Sequence, residues 1–301
     1  MSEAVGVTIV VPAFNAAAHL DETLDSLLAQ DHPRLQIIVV DDGSTDDTAA
    51  IAAARGDRLT LLRQSNRGQS AALAAGWAAA AHGIIGYLSA DDRLAPGAVG
   101  RCASALQARP DVVLVYPDYH VIDAASCRRA TVSRADYDRR LLFGDVRCLP
   151  GPGALFRRAA YEAAGPWRSD YRHVPDMEFF LRLALLGDFL HLPEALADYR
   201  LHDGSITGRP VPRTWADEPL RMVDAFYSRQ DLPPEIRAWR GRARANAGLL
   251  AARYHTKSGR WPTALIRIAG SMPDCPPVVI SRLRPAGLVR FARRALDGRR
   301  A

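Results

Sequence analysis

Two pairs of adjacent aspartates, Asp41-Asp42 and Asp91-Asp92, follow closely on apolar runs, Leu35–Val40 and Ile84–Leu88. Carboxylates set side by side repel phosphate, yet they bind it through a divalent cation. Mg²⁺ or Mn²⁺ takes one or two carboxylates and fills its shell with water and phosphate oxygens. A carboxylate also accepts hydrogen bonds from a base N–H or from ribose hydroxyls. Asp91-Asp92 is therefore a candidate metal and diphosphate site, and Asp42 with one of Asp91 and Asp92 suits nucleoside recognition. Helix capping explains Asp41-Asp42 equally well when that pair is taken alone, and it is the preferred reading for Asp46 and Asp47. Two pairs at two run ends favour function.

These carboxylates need a scaffold. Val7–Val11 is a continuous apolar run stopped by Pro12, as expected of a strand buried on both faces. Leu20, Leu24, Leu27 and Leu28 recur at i, i+4, i+7 and i+8, an amphipathic helix. Leu35–Val40, Leu59–Leu62, Ile84–Leu88 and Val112–Tyr116 read as further strands, with a helix over Ser70 to His82. Ser44 or Thr45 would cap the helix between the second and third strands, with Asp46 and Asp47 in its first turn. Alternation of this kind predicts a mostly parallel sheet flanked by helices. Ligands of such a sheet sit beyond the carboxyl ends of its strands. Those ends are Pro12-Ala13-Phe14-Asn15, Asp41-Asp42-Gly43-Ser44, Asn66-Arg67-Gly68 and Ser89-Ala90-Asp91-Asp92. No G-x-G-x-x-G follows the first strand, and Lys257, the only lysine, lies in no phosphate loop. A dinucleotide-binding dehydrogenase and a P-loop enzyme are disfavoured on that ground.

The 301 residues are 48 % hydrophobic and 24 % charged, which excludes disorder for most of the chain. Cys102, Cys127, Cys148 and Cys275 form no CxxC pair and read as reduced thiols. The start lacks a basic leader and Val7–Val11 is too short for a signal peptide, so a cytoplasmic location is expected. Gln69 to Ala90 carries no charged side chain, but its alanines and glycines fit a helix running into a buried strand better than a membrane span. Net charge is +6, unevenly placed: residues 235–301 hold 15 Arg and Lys against three Asp and Glu, while the remainder is acidic. That asymmetry suits a membrane or nucleic-acid partner, or a solvated helical face.

The strand ends and their neighbours, in this order, resemble glycosyltransferase family 2. The segments are Val7-Thr8-Ile9-Val10-Val11-Pro12-Ala13-Phe14-Asn15, Val39-Val40-Asp41-Asp42-Gly43-Ser44-Thr45-Asp46, Asn66-Arg67-Gly68 and Gly86-Tyr87-Leu88-Ser89-Ala90-Asp91-Asp92. Gly153-Ala154-Leu155-Phe156-Arg157-Arg158, Asp176-Met177-Glu178-Phe179-Phe180-Leu181-Arg182-Leu183 and Tyr199-Arg200-Leu201-His202-Asp203-Gly204-Ser205 continue it, so that it covers residues 5–208. The resemblance implies a GT-A fold, α/β with a Rossmann-like, mostly parallel sheet, over residues 1–212, followed by a basic α-helical extension over 213–301. It implies inverting transfer from a nucleotide-diphosphate sugar, a UDP-sugar being expected, with Mg²⁺ or Mn²⁺ as cofactor. The acceptor would be a glycan or a lipid-linked molecule in polysaccharide or glycoconjugate biosynthesis, and no nucleic-acid partner is expected. Carried over by position, Pro12, Phe14 and Asn15 lie along the nucleotide, with Asn66 and Gly68 in the same donor site. Asp42 recognises the base. Asp91 and Asp92 match the D-x-D region and share the metal and the ribose. His202 is a metal ligand, Arg200 a donor-site cation where it points inward, and Asp176 the catalytic base.

Three positions depart from the family pattern. Ser89 replaces the first D-x-D aspartate, Leu73-Ala74 replace Arg-Asn, and Pro175 replaces the glutamate before the base. A catalytically inactive sugar-nucleotide-binding module is therefore a second reading. A sugar nucleotidyltransferase is a third, disfavoured because the first strand end lacks a glycine-rich phosphate loop. Trp77 reads as core, and Trp167 equally as an acceptor-pocket wall or a core plug. Ala243 to Tyr254 and Pro262 to Ala269, joined by a turn at Lys257–Arg260, read as a helical hairpin similar to one tetratricopeptide-like unit. Val278 to Arg300, with Ile280, Leu283, Leu288, Val289, Phe291 and Leu296 among arginines, is predicted as a basic amphipathic helix. Such a helix can lie on anionic lipid and attach the protein peripherally at the inner face of the membrane.

Overall fold

The computed structural model describes residues 5–202 and 209–283. They divide into two compact units. The first holds the chain up to Tyr137, Leu149–Ser169 and Arg182–Arg200; the second holds Asp138–Cys148, Asp170–Leu181 and the chain from Leu201.

The strands are β1 (Val7–Ala13), β2 (Leu35–Asp41), β3 (Thr60–Arg63), β4 (Ile84–Tyr87), β5 (Arg93–Leu94), β6 (Val112–Ile122), β7 (Arg128–Val132), β8 (Leu155–Arg157) and β9 (Asp188–Arg200). Among the described residues they form one sheet in the order β3-β2-β1-β4-β8-β6-β9-β5, with β7 beside β6. The pairs β3/β2, β2/β1, β1/β4 and β6/β9 are parallel. The short β8 runs antiparallel between β4 and β6, and β5 and β7 are antiparallel additions. The sheet is thus the mostly parallel α/β sheet expected, with antiparallel insertions that the apolar runs do not announce.

Helices α1 (Leu20–Leu28), α2 (Thr48–Ala53), α3 (Gln69–Ala78), α4 (Ala98–Ala108) and α5 (Arg158–Ala164) belong to this unit, and α6 (Pro175–Leu183) spans the two. The leucine stripe of α1 is inside: Leu20, Leu24 and Leu27 are fully buried in one core with Val7, Val11, Val39 and Leu106. Helix α3 lies hard against β1. A Cβ on Gly76 would sit 2.4 Å from a Val10 methyl, so only glycine permits this approach. The next residue, Trp77, is buried; its indole N–H donates to the Gly86 carbonyl at 3.1 Å, and its ring meets Phe156 edge-on at 5.5 Å. Trp167 is also buried, edge-on to Tyr87 at 5.2 Å and to Trp77 at 6.1 Å, which makes it a core plug.

Three local expectations are corrected. Strand β1 does not stop at Pro12 but runs to Ala13. The Val10 carbonyl accepts the Leu88 N–H on the β4 side, and the Ala13 carbonyl accepts the Asp42 N–H on the β2 side. Pro12 therefore turns its missing N–H toward β4, which has already ended, and costs the ladder nothing. Helix α2 begins only at Thr48, with Asp46 Oδ1 accepting the Thr48 N–H at 3.0 Å, so neither Ser44 nor Thr45 caps it. Helix α3 ends at Ala78 rather than His82.

The second unit adds α7 (Arg213–Ala216), α8 (Glu218–Tyr227), α9 (Pro234–Arg237), α10 (Arg240–Lys257), α11 (Trp261–Ser271) and α12 (Pro276–Leu283). Helices α10 and α11 form the expected hairpin, and Gly248 of α10 passes so close to Ser271 that a larger residue there would displace the Ser271 hydroxyl from its bond to the Arg267 carbonyl. The segment 138–148 is tied in by Tyr227, whose hydroxyl donates to the Phe143 carbonyl at 3.0 Å, and by Asn246, which donates to the Gly144 carbonyl at 3.2 Å. Of the predicted terminal helix, α12 is seen; Leu288, Val289, Phe291 and Leu296 lie outside the described residues, as do Asp203, Gly204 and Ser205. Among the described residues no helix is long and apolar enough to cross a membrane.

Truncating Trp77 removes a large buried ring and its hydrogen bond. Trp77→Ala should lower the unfolding free energy by about 3–5 kcal/mol, seen as a lower urea midpoint at unchanged m-value.

Candidate active site

The loops after β1 and β2 are laced together. Asn15, with φ +48°, donates its N–H to Ser44 Oγ at 3.0 Å, and its side-chain oxygen accepts the Thr45 N–H at 2.9 Å. The N–H groups of Ala16 and Ala17 donate to Thr48 Oγ1 and Asp46 Oδ2. Phe14 stands beside this lacing, 49 % exposed, and Pro12 is half-buried below it. Asp41 is wholly inside, accepting from the Ser44 N–H at 3.0 Å and from Arg63 Nε at 3.2 Å. Asp42 is buried as well. Its Oδ1 accepts from Gln64 Nε2 (2.6 Å) and the Arg67 N–H (2.9 Å), and its Oδ2 from the Gly68 N–H (2.7 Å). Gly68 has φ +88° and ψ 164°, a conformation essentially confined to glycine, so this residue lets the loop turn its N–H groups onto Asp42. A carboxylate takes about four hydrogen bonds, which leaves roughly one acceptor position on Asp42. Asn66 is exposed on the loop so held.

The β4–β5 turn closes when the Asp92 N–H donates to the Ser89 carbonyl at 3.1 Å. Asp91 is half-buried; Asp92 is buried, and its Oδ1 accepts the Arg200 N–H at 2.8 Å. Burial, and then the Asp91 carboxylate beside it, push Asp92 well above the usual carboxylate range. Arg200 is completely withdrawn from solvent. Its Nε donates to the Asp91 carbonyl (2.8 Å), one terminal nitrogen to Ser126 Oγ (2.8 Å) and to the Asp123 carbonyl (3.2 Å), and the other to Glu22 Oε2 (3.0 Å). The expectation that Arg200 reaches the donor is corrected on this geometry. Its donors are committed inside the protein, and it acts on the site by positioning Asp91 and Asp92. Glu22 receives Ser126 and Arg93 as well, at 2.6 and 2.9 Å; the Ser126 hydrogen bond first, then Arg200, hold its carboxyl below the usual range. Arg93 also forks onto Asp198. Sequence reasoning missed Glu22, Ser126, Arg93 and Asp198, whose network with Arg200 is fixed only by tertiary packing.

No group of three or more His, Cys, Asp or Glu arranged for a metal ion occurs among the described residues. A cation shared with a diphosphate needs only one or two carboxylates. Asp91 offers a half-buried one, next to a second, Asp92, whose ionisation is opposed by burial and like charge and would be favoured by a cation. This donor set fits a hard divalent ion held chiefly through Asp91. His202, half-buried, follows Arg200 by two residues and belongs to the second unit.

In that unit Asp176 lies in the first turn of α6, half-buried. Its Oδ1 accepts the Met177 N–H at 2.8 Å, and Cys148 donates its S–H to Oδ2 at 3.7 Å. Tyr254 is pushed up to about 12, by burial first and by the nearby Asp176 and Cys148 in addition. The His173 ring meets Tyr254 edge-on at 4.4 Å; burial, then Lys257 and Arg253, push its pKa down to about 4. Glu218, at the start of α8, is buried and accepts the N–H groups of Arg172 (3.0 Å) and His173 (2.7 Å). It thereby fastens the lead into α6, and no sequence pattern announces that role.

Two outcomes follow from these networks. Arg200→Met strips Glu22 and the Asp91 carbonyl of a buried partner and should destabilise the protein by about 3–5 kcal/mol in chemical denaturation. His173 has a folded pKa below its unfolded value, so it contributes stability above about pH 6.5 that is lost as pH falls toward about 4. Denaturation curves across that window should show a shallower pH dependence for His173→Gln than for the wild type.

The sequence matches the family described as Glycosyl transferase family 2 over residues 8–165. An uncharacterized glycosyltransferase of Rickettsia prowazekii is 36 % identical over 210 residues, covering 67 % of this chain. The match spans 65 % of that relative's length, just under two thirds, as it does for similar glycosyltransferases of Nostoc and Rickettsia typhi. The solved structure of S. aureus TarS 1-349 in complex with UDP-GlcNAc superimposes with a TM-score of 0.71 at 17 % identity, covering 97 % of this chain and 89 % of that one. The mannosyltransferase PcManGT from Pyrobaculum calidifontis, in complex with GDP-Man and Mn²⁺, gives 0.64 at 18 % identity, covering 99 % and 86 %. The sheet order and these likenesses identify the GT-A fold, and with the match across more than half of its length the chain belongs to glycosyl transferase family 2.

Proposed function

We propose that this glycosyltransferase is an inverting enzyme using a nucleotide-diphosphate sugar, a UDP-sugar in the first instance, together with Mg²⁺ or Mn²⁺. It would glycosylate a hydroxyl of a glycan or lipid-linked acceptor in polysaccharide or glycoconjugate biosynthesis. The observation that carries this reading is Asp91, half-buried just beyond the carboxyl end of a central strand, in a turn locked by Arg200 and Asp92. Support for the donor class comes from the UDP-GlcNAc bound to TarS and the GDP-Man and Mn²⁺ bound to PcManGT.

Pro12, Phe14, Asn15, Asn66 and Gly68 border the nucleotide in this reading, with Asp42 accepting from the base. Asp91, assisted by Asp92 and His202, would hold the cation, which supplies Lewis-acid stabilisation to the departing diphosphate. Asp176 takes the proton of the acceptor hydroxyl as that oxygen attacks the anomeric carbon opposite the diphosphate, and attack from that side inverts the configuration. The Met177 N–H and the Cys148 thiol hold its two oxygens in a fixed orientation. Assistance by a positioned base is worth roughly 10²–10⁴ in rate.

Asp176→Asn should lower kcat by about 10²–10⁴ while donor affinity, measured by calorimetry, stays within about twofold. Near-normal turnover removes Asp176 from the mechanism. Asp91→Asn should abolish the Mn²⁺ dependence of nucleotide binding. A donor that binds wild-type protein tightly, with neither hydrolysis nor transfer across an acceptor panel, would point to a binding module instead.

A further inference from the structure

Helix α11 shows water a face that a solvated helix does not have. Ala264 and Ser271 are buried on its inner side. At about 100° per residue, Leu265, Ile266, Ala269 and Met272 share the opposite arc, with Trp261 at its edge. Leu265 and Ile266 are 65 % and 62 % exposed, Trp261 54 % and Met272 37 %. The one ionic side chain in the helix, Arg267, is spent on Asp217, with two hydrogen bonds of 2.7 Å. Helix α12 also exposes an apolar side chain, Ile280. A contiguous apolar surface without interspersed charge marks a docking site rather than a solvated one.

We propose that this face of α11 docks on an anionic phospholipid bilayer. Charge selects the occupant. Residues 235–301 carry 15 Arg and Lys against three Asp and Glu, and the sequence beyond Leu283 alone has six arginines against one aspartate. A second copy of the chain would bring two such basic segments together. The chain's own terminal residues carry the same sign as their surroundings. An anionic bilayer supplies apolar volume and opposite charge at once. The eleven residues of α11 span only about 16 Å, so the helix lies in the plane of the interface. Trp261 suits headgroup depth. The proposal deepens the reading of a lipid-linked acceptor, since docking would hold the enzyme where such acceptors are; it is tested without turnover, so that either can fail alone.

The experiment is co-sedimentation of the full chain with phosphatidylcholine vesicles and with vesicles containing phosphatidylglycerol. Wild type should pellet with the anionic vesicles and much less with the neutral ones. The double variant Leu265→Glu/Ile266→Glu, altered only at exposed positions, should keep its circular dichroism and donor binding and lose vesicle affinity by about tenfold or more. Wild type that stays in the supernatant overturns the proposal. A double variant that pellets like wild type overturns it too, and assigns any lipid binding to the terminal arginines. A concentration-dependent dimer that the double variant abolishes, without vesicle binding, gives the face to a second copy and also overturns it.

Discussion

Withdrawing a guanidinium from water costs several kcal/mol unless its N–H groups find acceptors, and the candidate donor site is organised by how Arg200 meets that demand. Its partners come from the β4–β5 turn, the β6–β7 turn and α1. One residue at the end of β9 therefore ties together three connections that are far apart in sequence. Its own backbone N–H reaches Asp92, so the turn bearing Asp91 is gripped from the main chain and from the side chain. Charge inside the protein is used for geometry here, and the backbone that carries Asp91 inherits a fixed position.

The two aspartate pairs divide their labour in a related way. Asp41 and Asp42 are both turned inward, Asp41 bracing its own turn and Arg63, and Asp42 seating the loop that leads into α3. Asp92 braces as well, while Asp91 is half-buried. A bracing role for one member of an acidic pair is thus compatible with a chemical role for the other. Three of these four aspartates serve in loop architecture.

Much of the first unit is legible in the sequence, because strands buried on both faces must be apolar throughout. The runs at Val7, Leu35 and Ile84 and the leucine stripe of α1 follow directly. The missed strands are those lacking that constraint. β5 has two residues, β8 three, and β7 is mostly exposed. β9 carries Pro193, Glu194 and Asp198 among its apolar residues and pairs with β6 through register shifts, so it shows no clean period. Within the site, the acidic strand ends were readable because the fold places ligands there. Glu22, Ser126, Cys148 and Glu218 were not, because each acts through a partner fixed only by tertiary packing. The resemblance assigned Arg200 to the donor site, and only tertiary packing shows that its guanidinium is buried on internal acceptors.

The bond from Glu218 to the backbone of Arg172 and His173 crosses 46 and 45 residues of chain. The stretch that seats Asp176 therefore waits for α8 to be made. A ribosome that has released the whole sheet still holds back the carboxylate-bearing turn's anchor, so the nascent chain completes its sheet before its acidic turn is fixed. A deletion that trims the C-terminal helices as if they were an appendage would remove the fastening of a segment far upstream, and a chimera that exchanges those helices must carry residues 170–181 with them.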